Sequence, residues 1–78
     1  MTRMWEVRAA PGRLDELVDF VNATADPSAL VFRSGGTDAR VVVIDPSGRG
    51  VPDVPVDLIA RAPHAWDFQP VERLGRTD

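Results

Sequence analysis

The sequence predicts an α+β fold, a four-stranded antiparallel sheet carrying two helices on one face. Three observations lead there. The apolar period changes from two to about 3.6 and back along the chain. Pro and Gly clusters punctuate each change. The chain has 78 residues, room for one small domain against the ~100–150 typical of domains. Residues 1–75 are expected to form that domain and 76–78 a polar tail.

Residues 3–10 alternate, with Trp5, Val7 and Ala9 on one side and Met4, Glu6 and Arg8 on the other. That is a strand period, and Pro11-Gly12 breaks it. Over 13–24, Leu14, Leu17, Val18 and Val21 form one helical stripe. Asp15 and Glu16 fall in its first turn, where the helix dipole favours carboxylates. Pro27 disfavours helix at Asp26 and closes the element. Residues 29–34 and 39–45 are two strands joined by Gly35-Gly36-Thr37-Asp38, hence an antiparallel hairpin. Residues 45–55, rich in Pro and Gly, are expected to be the least ordered stretch. A short second helix is expected next, capped by Asp53, with Pro55 in its first turn. Leu58, Ile59 and Ala62 form its buried side, and Pro63 stops it. Residues 65–74 return to period two, with Pro70 confining that strand to an edge or end.

The order β-α-β-β-α-β is the split βαβ, or ferredoxin-like, arrangement. Right-handed crossovers place both helices on one face and give the strand order 4-1-3-2. Such a sandwich wets one sheet face, so its strands should alternate. The central hairpin does not. Val41 and Val43 oppose Val42 and Ile44, while Leu30 and Phe32 oppose Val31. Apolar side chains on both faces call for a cover on the second, and a two-fold-related copy of the same sheet is the simplest. A homodimer through the sheet face is therefore expected.

Composition narrows the function classes. Cysteine is absent, which removes disulfides, thiolate metal sites and cysteine catalysis. A small chain without such staples fits the reducing cytoplasm. The run Val41–Ile44 is far short of the ~20 apolar residues of a membrane span, and charges interrupt any signal-peptide core at the N-terminus. The net charge of −3 argues against nucleic acid as a partner. All nine basic residues are Arg, which reads as the codon bias of a high-GC genome.

Several stretches together resemble the dimeric α/β-barrel proteins, in particular the antibiotic-biosynthesis-monooxygenase-like set. They are Met4-Trp5-Glu6-Val7-Arg8, Pro11-Gly12-Arg13-Leu14-Asp15-Glu16-Leu17, Val31-Phe32-Arg33-Ser34 and Arg40-Val41-Val42-Val43-Ile44. The closing Pro63-His64-Ala65-Trp66-Asp67-Phe68 is similar to small actinobacterial proteins of that kind. The resemblance implies two sheets facing each other across a dimer and a ligand cleft between sheet and helices. Its activities range from cofactor-independent oxygenation of aromatic molecules and haem degradation to no chemistry at all. The Asn, Trp and His set of the haem-degrading members does not carry over, because Asn22 lies on the first helix.

Two functions follow as expectations. In the first, a small hydrophobic or aromatic molecule is bound or oxidised, or isomerised, without a cofactor or metal. His64, the sole histidine, is the candidate catalytic base. Trp5, Trp66, Phe68, Phe32 and Phe20 are the candidate walls of an apolar pocket for a flat ring. In the second, the same aromatics are packing and the chain is a non-catalytic dimerisation or protein-interaction module. An enclosed cleft of roughly 300 Å³ or more under the helices separates the first from the second. Glu6, Arg8 and Asp67 are expected on the polar side of the first and last strands, where solvated pairs are commonplace. The acidic helix face of Asp15, Glu16 and Asp19 lacks the converging ligands a metal needs, and Ser34-Gly35-Gly36-Thr37 is a hairpin turn with no helix behind it to hold a phosphate.

Overall fold

The computed structural model describes residues 1–72. The predicted end of the domain at residue 75, the tail 76–78 and the last residues of the predicted final strand lie outside them.

Four strands form one antiparallel sheet: β1 (Thr2–Arg8), β2 (Leu30–Arg33), β3 (Arg40–Asp45) and β4 (His64–Phe68). They lie side by side as β2-β3-β1-β4, which is the predicted 4-1-3-2 order read from the other edge. The register sets Trp5 opposite Val43 and Val7 opposite Val41. On β4, Ala65 lies opposite Trp5 and Trp66 opposite Met4. On β2, Val31 lies opposite Val43 and Phe32 opposite Val42.

One helix, α1 (Leu14–Thr24), covers one side of the sheet. Its stripe of Leu17 and Val21 is wholly buried against Trp5, Val7, Val41 and Val43. Asp15 and Glu16 occupy the first turn as expected, and Arg13 Nε donates to Glu16 Oε1 at 2.6 Å. The helix ends as the Ala25 N–H bonds the Val21 carbonyl at 2.8 Å and the chain turns extended toward Pro27.

The predicted second helix is corrected. In its place is a single 3-10 turn, Val56–Leu58. The reason lies in where its backbone groups bond. The Ala10 N–H donates to the Leu58 carbonyl and the Ala60 N–H to the Arg8 carbonyl, both at 2.9 Å. Ile59 bridges Ala9 as an antiparallel pair. Groups held by the end of β1 cannot also form i→i−4 bonds. Leu58 is still buried, as its spacing predicted, but the segment delivers it without a helix.

The loop after β3 is also better fixed than its Pro and Gly content predicted. Asp45 is fully buried. Its carboxylate accepts from the Ser47 N–H at 2.8 Å, the Ser47 hydroxyl at 2.6 Å and the Gly50 N–H at 2.8 Å. Gly50 has φ +70, the left-handed region that favours glycine, and an added Cβ would stand 3.0 Å from Arg3 Cδ, so that side chain would have to shift. This loop tucks Val51 into the core beside Trp5. Loop and turn together do the second helix's work of covering the β1 half of the sheet.

Candidate functional site

The pleat of the sheet sorts the remaining side chains. Trp5, Val7, Val41, Val43 and Asp45 face the helix. The other face has no element of the described chain across it. One row there reads Leu30, Ile44, Met4, Trp66 from edge to edge. The next reads Phe32, Val42, Glu6, His64, and beyond it Arg40 lies opposite Arg8. At the opposite end Phe68 sits beside Thr2. Leu30, Phe32, Trp66 and Phe68 are between 45 % and 58 % exposed. The apolar second face inferred from the central hairpin is therefore continued across all four strands.

One end of this face is charged. Arg40 Nη1 bonds Glu6 Oε2, and Arg40 Nε donates to Asp38 Oδ2 at 3.0 Å. Arg8 Nη2 lies 3.0 Å from Asp38 Oδ1. Hydrogen bonds to the Glu6 and Asp38 carboxylates raise the Arg40 guanidinium above its ordinary range, and the bond that Asp38 accepts from Arg40 holds the Asp38 carboxyl below its own. His64 Nδ1 stands 3.9 Å from Glu6 Oε1, beyond hydrogen-bond reach, and its ring centre is 5.8 Å from that of Trp66. Glu6, Arg8, Arg40, Arg61 and His64 line a small notch of about 30 Å³.

A break in register opens the notch. His64 lies opposite Glu6, and Ile59 lies opposite Ala9. The returning chain thus spends two more residues than β1 over this stretch, and Arg61 and Ala62 bow outward beside Val7 and Arg8. Such bulges re-aim side chains.

The predicted site residues separate. Trp5 is buried on the helix side, and Phe20 packs half-buried on α1 against that same core. His64, Trp66, Phe68 and Phe32 are on the open face. His64 and Trp66 are close, whereas Phe32 lies three strands away in His64's row, roughly 14 Å at ordinary strand spacing. The sheet stands between the two groups, so no single pocket has all five aromatics as walls. Of the predicted polar trio, Glu6 and Arg8 share the open face, but Asp67 turns to the other side and takes Arg3 Nε at 2.8 Å. Arg40 and Arg61 escaped the sequence reading. Only the strand register brings them to Glu6 and His64.

The space between α1 and the sheet is filled by Leu17, Val21, Val41 and Val43, none of which has any exposed surface. Two larger hollows, about 540 and 520 Å³, are open grooves on the outside of the fold. One is lined by Val51, Val54, Val56 and Ile59, the other by Ala9, Pro11, Leu14 and Ala39. Among the described residues no three His, Asp or Glu side chains gather as metal ligands, and no helix is long and apolar enough to cross a membrane. Compared with known protein families, curated proteins and solved structures, the chain matches none.

Proposed function

We propose that this chain is a homodimerisation module that assembles sheet to sheet through its open face. We read its fold as a reduced ferredoxin-like unit, of the kind found in dimeric α/β-barrel proteins, with the second helix replaced by the Asp45 loop and the 3-10 turn. One observation carries the reading: the face opposite the helix is apolar across all four strands. Its three half-exposed aromatics, Phe32, Trp66 and Phe68, alone present roughly 300 Å². Leu30, Ile44, Val42 and Met4 extend that patch toward the upper end of what monomers leave bare, ~300–600 Å².

A second copy is the partner the chemistry favours. An isologous interface brings each patch onto itself, which punishes any net charge at its centre. The row Leu30, Ile44, Met4, Trp66 has none, and the nearest carboxylate, Glu6, is already matched by Arg40. A pocket enzyme acting under the helices is the weaker reading, because that space is packed solid.

Size-exclusion chromatography with light scattering at micromolar concentration tests the proposal on wild type and Phe32→Glu. Phe32 is on the edge strand and half exposed, so the substitution leaves the protomer folded. The expected result is a wild-type dimer and a folded Phe32→Glu monomer. A monomeric wild type, or a variant dimer as tight as wild type, overturns it.

A further inference from the structure

We infer that the notch beside the register break is a binding site for the carboxylate of a small aromatic monocarboxylic acid. It is built within one chain and does not depend on the dimer.

Three independent features converge there. Arg61 makes no ion pair among the described residues, although it lines the notch. Arg8 Nε is shielded from water and has no acceptor among the described residues, an arrangement that is costly for a buried donor. The Arg8 side chain is 39 % exposed, with its Nη2 paired to Asp38. The two-residue bulge keeps this strip of β1 from closing against its neighbour. A plain ladder would have sealed the gap.

Charge and size select the ligand. Glu6 in the wall is matched by Arg40, and Asp38 bridges Arg40 and Arg8. Arg61 is left as the cation of the notch without an ion pair among the described residues, and its planar fork suits a carboxylate. The notch is small, about 30 Å³, and the flat edge of a carboxylate fits it more readily than a phosphate tetrahedron. The ligand's ring then lies on Ala62 and the exposed face of His64, whose imidazole is tilted against Trp66. The notch is at the Arg8–Arg40 end: its Glu6 and His64 share a row with Phe32 and Val42, while Arg8, Arg40 and Arg61 stand beyond the wholly apolar row of Leu30, Ile44, Met4 and Trp66.

Benzoate is the probe, with benzamide as its neutral isostere and inorganic phosphate as the larger anion, at neutral pH. Tryptophan fluorescence follows Trp66, and ¹⁵N chemical shifts follow Arg61, Ala62 and His64. The expected result is saturable benzoate binding with shifts centred on those three residues and no saturable response to benzamide or phosphate. Arg61→Ala, an exposed residue outside every described ion pair, should weaken benzoate about tenfold while leaving the fold intact. Equal response to benzamide would mean adsorption on the apolar face, and an unchanged Arg61→Ala would mean the guanidinium holds nothing. Either overturns the inference. Light scattering on the same samples reads the dimer separately, so a benzoate-binding monomer refutes only the assembly and a non-binding dimer refutes only the notch.

Discussion

Asp45 is the sole fully buried charge among the described residues. Burial alone would push its carboxyl up, but donors from Ser47, Gly50 and Arg49 outweigh that and hold it below the ordinary carboxylate range. An unfolded aspartate titrates near ~3.9. The stabilisation is therefore complete above that pH and is lost as pH falls through the lower, folded value. Asp45→Asn presents an NH₂ to a donor that wants an acceptor and should cost about 1–3 kcal/mol at neutral pH. Urea unfolding over a pH series should show wild-type stability falling steeply on the acid side and the variant falling less. Parallel curves would place the acid sensitivity elsewhere. The adjacent valines on β3 offer a sharper contrast. Val43 has no exposed surface and packs on the helix side, whereas Val42 is half-buried on the open face. Val43→Asp buries an unpaired charge in the core and should abolish the folded circular-dichroism spectrum. Val42→Asp should leave a folded chain that no longer associates. If both variants behave alike, the two faces are not distinct.

At the scale of elements, local patterns and the order of the strands were legible, whereas register and the pairing of the segment after β3 were not. The strand around Trp5 and the helix on Leu14, Leu17, Val18 and Val21 follow from period, the strands around Val31 and Val43 from apolar runs flanking Gly35-Gly36, and the crossover rule gave the strand order. The segment 54–62 misled because Leu58, Ile59 and Ala62 are spaced as one side of a helix. Its backbone is instead paired to Arg8 and Ala10, about fifty positions away. The candidate pocket misled for a related reason. Trp5 and Trp66 are on neighbouring strands, yet the register puts Trp66 against Met4, and one residue of offset sends a side chain through the sheet. Leu58 measures how much the 3-10 turn contributes. It is buried against the core, so Leu58→Ala should cost about 2–5 kcal/mol in chemical denaturation. A loss under 1 kcal/mol, close to the ~0.5 of a surface substitution, would mean the turn is only a lid.

The described residues form one layer of sheet with a helix and a loop on one side. Short chains bury a smaller share of their surface, about 60 % at this size, and here much of the deficit is collected on a single face. Trp66, Phe68, Phe32 and Leu30 have no role in the protomer's own core. In the proposed dimer these four residues are covered by the second copy, which couples stability to concentration. Thermal unfolding should shift upward with protein concentration for wild type and stay fixed for Phe32→Glu.

The place of β1 in the sheet also governs how the chain comes together. It is synthesised before either strand that flanks it, and β3 and β4 both reach it from far along the sequence. Contacts of such separation are slow to form, because long loops must close first. Until His64–Phe68 arrives, the strand bearing Trp5 and Val7 has one open flank able to pair with a foreign chain. A nascent or proteolysed molecule lacking its last strand thus presents the edge of β1 as a template for clumping.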